Sequence, residues 1–179
     1  MRYLFLSVSM IFLFASCEQP PSMEEVKTAV MEEMDAAMTT QHEAMSQKMD
    51  QVVEAWNSGN AKLPEVVADN VVRTTNGVEE SADKAAYEAN MKNFISAFPD
   101  FNVTMDKFTI KDGTSYIYWT VTGTNTGPFM ENPPTNNPME VHGFSVWQTN
   151  DDGKFVREDA YFDNMAMMSQ LGYSVSPPE

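Results

Sequence analysis

The order of two periodicities along the chain constrains its fold most. Before residue 100, two segments carry apolar residues at spacings of three, four and seven, the pattern of amphipathic helices. From Phe101 to Asp163 the chain changes to β-branched and aromatic segments separated by the turn signals KDG and NDDG. Helices followed by strands with short connections predict an α+β domain, in which a curved antiparallel sheet wraps around helices.

The first helical segment begins with a capping signal and carries a stripe of methionines. Ser22 and Glu25 have the spacing of a capping box, and the next glycine is Gly59, so we predict one long helix to about Asn57. The chain has 15 methionines. Five of them share one helical face with apolar residues further along: Met31, Met34, Met38, Met45 and Met49. Such a flexible seam suits packing on the domain or pairing with another helix.

A copper site is the alternative interpretation of this stripe. Thioethers are ligands for Cu(I), and Met31, Met34, Met38 and His42 have helical spacing. The interleaved acids equally fit a solvated face. With two histidines in the chain and one cysteine near its start, a zinc site has almost no ligands. We therefore predict no metal.

The N-terminal stretch MRYLFLSVSMIFLFASC has the layout of a secretory signal. One basic residue precedes an apolar run, and small residues precede Cys17. The ending FASC resembles a bacterial lipobox, so we predict a signal peptide over residues 1–16 and a lipid on Cys17. That lipid would anchor the protein in the bacterial cell envelope. A plain signal peptide with a chance cysteine, or a buried N-terminal helix, is the alternative.

The charge of the chain excludes some partners. Its formal net charge is −15, which argues against nucleic acid and against anionic membrane surfaces, because both are polyanions. The lone cysteine cannot form an internal disulfide. The membrane contact that we predict is therefore the lipid at Cys17 alone.

Several segments occur together in an order typical of one family. They are VVEAWNSGN, VVADNVVR, FISAFPDFNVTMDKF, YWTVTGTNTGPF and DGKFVREDAYFD. In this order the chain resembles the SnoaL-like polyketide cyclases of the nuclear-transport-factor-2-like (NTF2-like) superfamily, over about residues 45–173. Residues 17–44 would then be a tether and a Met- and Glu-rich helical extension, and residues 174–179 a tail.

The resemblance implies a cone-shaped α+β barrel with a deep pocket. It further implies that a carboxylate in the pocket performs acid–base chemistry in an intramolecular aldol ring closure, without metal or organic cofactor. Relatives often dimerise through the open face of the sheet, so a homodimer is possible. Many relatives have no established activity, and membership therefore implies a pocket more firmly than a reaction.

Asp163 is the first catalytic candidate, because the resemblance places the cyclase carboxylate at the end of the last strand. It also precedes the helical segment NMAMMSQLG, where an Asp is a good N-cap. Glu158 and Asp159 stand on opposite faces of the same strand, and both fit solvent-facing positions on an acidic protein. Ala160 stands where many relatives have tryptophan, which indicates an altered pocket wall.

His142 is the second candidate. It shares strand parity with Phe144 and Val146, which we expect to be buried, and it could polarise a carbonyl or relay a proton. A core histidine held by one hydrogen bond is the alternative.

Aromatic residues are abundant enough to fill a core and line a pocket for a small hydrophobic or aromatic molecule. The long loop GTNTGPFMENPPTNNP places Phe129 and Met130 at its centre, where we expect them to cover the pocket as a rim or lid. The predicted ligand-binding residues are Trp56, Tyr87, Trp119, Phe129, Met130, Phe144 and Tyr161. Three functions remain open: an acid–base enzyme, a non-catalytic binding module, and an interaction protein that self-associates through the Met-rich helix.

Overall fold

The computed structural model of the protein describes residues 21–174. The predicted signal peptide, Cys17 and the end of the predicted tail lie outside the described residues. By its internal contacts the chain divides into two compact units, Met1–Met38 and Thr39–Glu179. The described part of the first unit is helical, and the second unit contains the sheet.

Each helix begins after a capping residue that the sequence supplies. Ser22 Oγ accepts a hydrogen bond from the Glu25 N–H, and the Glu25 carboxylate accepts one from the Ser22 N–H at 2.7 Å, which confirms the capping box. Asp83 caps the second helix by accepting from the Ala86 N–H at 2.8 Å. The helices are α1 (Met23–Asn57), α2 (Lys84–Ala97) and α3 (Asn164–Gln170).

Six strands form one open, curved sheet in the order β2-β1-β6-β5-β4-β3. The strands are β1 (Val67–Thr75), β2 (Val78–Ser81), β3 (Asn102–Lys111), β4 (Thr114–Thr124), β5 (Pro138–Thr149) and β6 (Phe155–Phe162). All neighbours are antiparallel except β1 and β6, which are parallel. The predicted curved antiparallel sheet is therefore confirmed except at this one parallel pair. Most of the domain connects β1 to β6, and such a long connection permits parallel pairing.

In the first unit, the methionines of α1 lie on the protein surface. Met31, Met34 and Met38 are each more than half exposed. No helix within residues 21–174 is long and apolar enough to cross a membrane.

In the second unit, the C-terminal part of α1 packs with α2 against one face of the sheet. Met49 and Val52 of α1 share a buried cluster with Tyr87 of α2 and with Ile117 and Trp147 of the sheet. We call this the inner face of the sheet and the opposite side its outer face. A second buried cluster surrounds Phe98 and Leu171, at the C-terminal ends of α2 and α3.

Candidate functional site

An apolar cavity of about 100 Å³ lies between the helices and the inner face of the sheet. Most of its wall is apolar, with contributions from α1, α2, α3 and five of the strands. The three tryptophans of the chain, Trp56, Trp119 and Trp147, all line it. Among residues 21–174, three other polar side chains line it: Arg73 of β1, Ser145 of β5 and Glu158 of β6. Any polar contact with a bound molecule would therefore involve these three or the indole N–H groups.

Glu158 is held by donors from three different elements. Its Oε2 atom accepts a hydrogen bond from the Tyr87 hydroxyl and one from Arg73 Nε at 3.0 Å. Its Oε1 atom accepts one from Ser145 Oγ at 2.9 Å. A carboxylate oxygen has two lone pairs, so Oε2 is fully used, while Oε1 accepts one hydrogen bond from residues 21–174 and can accept one more. Glu158 is 6% exposed, so this remaining acceptor belongs to a buried site.

Ser145 and the tryptophan beside it fix the geometry of that oxygen. Trp119 Nε1 donates a hydrogen bond to Ser145 Oγ at 2.9 Å, and Ser145 in turn donates to Glu158. The indole lies across Gly143, where a Cβ would be 2.2 Å from two ring carbons. Only glycine at this position leaves room for the ring. Through Ser145, the indole of the cavity wall is connected to the Glu158 carboxylate.

Burial and neighbouring charge set the protonation states around Glu158. Burial first, and then the charge of Glu158, raise the pKa of the Tyr87 hydroxyl well above its usual value, so Tyr87 stays a neutral donor. Burial opposes the charge of Arg73, but the negative charges of Glu158 and Glu80 outweigh it and raise the pKa of the guanidinium. The site thus combines a neutral phenol with a permanent cation.

Two of the predicted ligand-binding residues, Trp56 and Trp119, do line the cavity. Tyr87 is fully buried beside Trp56 and binds Glu158, so it acts on the site through the carboxylate. Phe144 and Tyr161 lie on the outer face, where Phe144 packs on Tyr118 at a ring distance of 5.0 Å. Their placement in the pocket was wrong, because their strand positions have the opposite parity to Ser145 and Glu158.

The burial that we predicted for His142 is also wrong. Its side chain is 71% exposed and lies on the outer face, beside Thr120 and Glu140. His142, Phe144 and Val146 do lie on the same face of β5, as predicted, but this face points away from the helices. The prediction of burial was based on the aromatic residues of this face, which are typical of a core but lie here on the outer side of the sheet.

Asp163 is the N-cap of α3, the alternative that the sequence left open. Its Oδ1 atom accepts a hydrogen bond from the Ala166 N–H at 2.9 Å, and the residue is exposed. The structure does not bring Asp163 to the lining of the cavity described above.

The long loop is fastened to the end of α2. Asn125 is fully buried, and its amide donates to the Gly127 carbonyl at 2.8 Å and accepts from the Thr135 N–H. A Cβ at Gly127 would lie 2.0 Å from the Ser96 carbonyl oxygen, so only glycine fits there. The loop is therefore a folded part of the domain.

The lid that we predicted at the centre of this loop is wrong. Phe129 is buried against Phe94 and Phe98, one layer behind the cavity wall, and does not line the cavity. Met130 is 66% exposed. Phe129 supports Phe94, which does line the cavity.

Sequence reasoning missed Arg73 as a site residue and assigned Glu158 to solvent. A signal for Arg73 existed, because it stands two residues after the apolar Val71 on a strand and so shares its buried face. Nothing in the sequence distinguished Glu158 from Asp159. Within residues 21–174, no group of three His, Cys, Asp or Glu side chains is arranged to hold a metal ion.

Comparisons with known proteins agree with this architecture. The family model described as SnoaL-like polyketide cyclase matches residues 46–171. AclR from Streptomyces galilaeus is a similar solved structure, with a TM-score of 0.65 and 22% identity, covering 77% of this chain and 91% of AclR. IdmH from Streptomyces antibioticus has a TM-score of 0.61 and 24% identity, covering 72% of this chain and 98% of IdmH. No curated protein sequence matches the chain. At these identities the solved structures show the shared fold.

Proposed function

The chain belongs to the SnoaL-like polyketide cyclase family, and on that premise we propose that its cavity binds a small hydrophobic or aromatic molecule and that Glu158 exchanges a proton with it. The observation that carries the proposal is the free acceptor position on Glu158 Oε1, in an otherwise apolar cavity. Apolar walls with a few fixed polar groups are typical of small-molecule sites.

The size of the cavity supports a ligand, or the end of a ligand, with a single ring. An apolar protein cavity of about 150 Å³ is large enough to hold benzene. The cavity here measures about 100 Å³, which is smaller, but it is partly open, so a single ring can enter without being fully enclosed. The three tryptophans around it offer flat surfaces on which a ring can stack.

The proposed chemistry is proton transfer of the cyclase or isomerase type. Glu158 Oε1 would remove a proton from a carbon next to a carbonyl group and later return it to the product. Ser145 and Tyr87 would hold the carboxylate in place during both steps. A positioned general base contributes about 10²–10⁴-fold to such a step.

A non-catalytic binding module is the second candidate, and one observation favours it. Glu158 already accepts three hydrogen bonds and forms an ion pair with Arg73, which is what a carboxylate with a purely structural role would do. In that case the same cavity would bind the ligand without transferring a proton.

Acetophenone separates these two functions, because it has one ring and exchangeable protons next to its carbonyl. Binding is followed through the ¹⁵N–¹H resonances of the three tryptophan indoles, all of which line the cavity. Turnover is followed by ¹H NMR as deuterium enters the methyl group in D₂O. We expect the protein to accelerate this exchange, and Glu158→Gln to lower the acceleration by about 10²–10⁴-fold. Glu140→Gln, on the outer face, is the matched control.

The binding and exchange results together distinguish the enzyme from the binding module. Indole shifts without accelerated exchange would contradict catalysis and favour the binding module. No indole shift with acetophenone or with its apolar analogue ethylbenzene would contradict both small-molecule functions. An equal loss of exchange in Glu158→Gln and Glu140→Gln would contradict the role of Glu158.

We also propose that a lipid on Cys17 anchors the protein in the cell envelope. The support is the sequence MRYLFLSVSMIFLFASC alone. Mass spectrometry of the protein from bacterial membranes tests it: a diacylglyceryl modification on Cys17 is expected, and an unmodified Cys17 would contradict the anchor.

A further inference from the structure

Arg73 is a buried cation whose orientation is fixed from several sides. Its guanidinium lies 5.7 Å from the Trp56 ring centre and 5.1 Å from that of Tyr87. Its Nε atom donates to Glu158 at 3.0 Å, and its Nη1 atom donates to Glu80 at 2.6 Å. The side chain is 10% exposed and forms part of the cavity wall. A group held this firmly can serve as a fixed binding point.

One nitrogen of this guanidinium has no acceptor within the described part of the chain. A guanidinium has five N–H bonds in a planar fork. Within residues 21–174 the structure provides acceptors for Nε and Nη1 of Arg73, and it provides none for Nη2. Nη2 is not one of the buried side-chain atoms that are shut off from solvent, so it reaches open space, and Arg73 lines the cavity. A ligand oxygen in the cavity could therefore accept a hydrogen bond from it.

The charges around Arg73 select the kind of oxygen. Glu158 and Glu80 both form ion pairs with Arg73, so two carboxylates surround one cation. An anionic ligand would be repelled by Glu158, whereas a neutral carbonyl group brings an acceptor without a charge.

We propose that Arg73 is a further catalytic residue of this site, which binds the carbonyl oxygen of a neutral ligand through Nη2. This inference rests on the proposed function of the cavity, which already requires a carbonyl compound, and it adds the group that holds the carbonyl oxygen. The two groups are joined by the hydrogen bond from Arg73 Nε to Glu158 Oε2, and Nη2 and Oε1 are each two covalent bonds from that contact. A carbonyl on Arg73 therefore places the adjacent carbon near Glu158.

The two groups together complete a balanced enolisation. The C–H bond next to the carbonyl breaks, its proton moves to Glu158 Oε1, and its electron pair forms a C=C bond while the C=O π pair moves onto oxygen. Arg73 stabilises the negative oxygen at the moment when it forms. In a β,γ-unsaturated carbonyl compound the enolate is conjugated with a C=C bond, and return of the proton to the far carbon of that bond gives an isomer. Attack of the enolate carbon on a second carbonyl of the same molecule gives a ring, and the new alkoxide takes the proton from Glu158.

Three ligands of similar size test the proposal on the unmodified full chain, again through the indole resonances. Acetophenone has a neutral carbonyl, ethylbenzene has none, and benzoate carries a negative charge. A merely apolar cavity would prefer ethylbenzene, because burying an unpaired carbonyl is unfavourable. A hydrogen bond from a charged donor reverses this order, so we expect acetophenone to bind about tenfold or more tightly than ethylbenzene. Benzoate should bind more weakly than acetophenone.

Arg73→Lys tests the residue itself, since it keeps the charge but loses the planar fork. We expect this variant to bind ethylbenzene as the wild type does and to lose the preference for acetophenone. Arg157→Lys makes the same change on the outer face and should keep the preference. Thermal unfolding shows whether each variant is folded, and the wild-type ligand series decides the proposal if Arg73→Lys is not.

The proposal is overturned if the wild type binds ethylbenzene as tightly as acetophenone, or benzoate as tightly as either. It is also overturned if folded Arg73→Lys keeps the wild-type preference. In all these cases ligands still bind, so the cavity function survives. Absence of binding by all three ligands would instead contradict the proposed function.

Discussion

The two faces of the sheet carry polar networks built from similar side chains in very different surroundings. The inner network links a tryptophan, a serine and a carboxylate to a cation and a phenol: Trp119, Ser145, Glu158, Arg73 and Tyr87. The outer network links two carboxylates through a hydroxyl and an imidazole: Asp106, Thr120, His142 and Glu140. Both networks cross β4 and β5, so the same two strands present one network to the helices and the other to solvent.

Burial, and not residue type, distinguishes the carboxylate that lines the cavity from those of the outer face. In the outer network Thr120 Oγ1 donates to Asp106 at 2.6 Å and lies 2.9 Å from His142 Nδ1. These distances are as short as the 2.9–3.0 Å hydrogen bonds of Ser145 and Arg73 in the inner network. The side chains of His142 and Glu140 are more than half exposed, so water competes with their contact and weakens it. Glu158 and Arg73 are buried, where each depends on the other.

The largest difference between the faces should appear when one carboxylate of each network is removed. Glu158→Ala leaves Arg73 buried beside a void, and breaking such a pair costs about 3–5 kcal/mol of unfolding free energy. Glu140→Ala on the outer face should cost less than about 1 kcal/mol. Urea denaturation of both variants measures the difference. Similar losses would show that the two networks are energetically equivalent and would break the comparison.

The sequence predicts the fold from periodicity and caps, since these depend on local chemistry. The capping box at Ser22, the Asp83 cap and the end of α1 at Asn57 all follow from residues close in the chain. Which face of a strand is buried depends on residues far away. The sequence shows which residues of a strand share a face, and it correctly predicts that Glu158 and Asp159 lie on opposite faces. It does not show which of the two faces packs against the helices.

The aromatic residues on both faces explain the errors at the site. Tyr116 and Tyr118 cover Phe144 on the outer face, so β5 has large apolar residues on both sides and its alternation is ambiguous. Phe144 therefore made His142 look buried. Arg73 was missed because a charged residue in a strand is normally solvent-facing, and only its distant partner Glu158 permits it inside.

A second difference between the faces should appear at alkaline pH. The pKa of Tyr87 in the folded protein lies above that of an unfolded tyrosine, about 10, first because of burial and then because of Glu158. Above that pH the unfolded chain loses a proton that the folded protein keeps, so this contribution to stability is complete below about pH 10 and declines as pH rises.

Tyr87→Phe should therefore flatten the loss of stability above pH 10. At neutral pH the variant should be less stable by about 1–2 kcal/mol, because Glu158 loses a hydrogen bond. Tyr161→Phe on the outer face is the matched control. Urea denaturation between pH 8 and 11 measures both variants, in a range taken around the tyrosine pKa of about 10. Identical alkaline slopes for Tyr87→Phe and the wild type would contradict the role of the buried phenol.

The smallest effect is expected for a carboxylate of the outer face that is well paired. Asp159 accepts hydrogen bonds from Arg157 at 2.6 and 2.8 Å and from Thr74 at 2.7 Å. The hydrogen bonds from Arg157 lower the pKa of Asp159 most, and the one from Thr74 lowers it further. Partial burial raises this pKa, but the net effect is a lower value. The stability this provides is present above the unfolded pKa of about 3.9 and is lost as pH falls below it. Asp159→Asn should thus flatten the acid limb of thermal unfolding. Its cost at neutral pH should stay below about 1 kcal/mol, since Arg157 is partly exposed.

Asp151→Asn, at an exposed turn, is the control for charge alone. A loss at neutral pH as large as that of Glu158→Ala would mean that pairing geometry outweighs burial, and would reverse the comparison between the two faces.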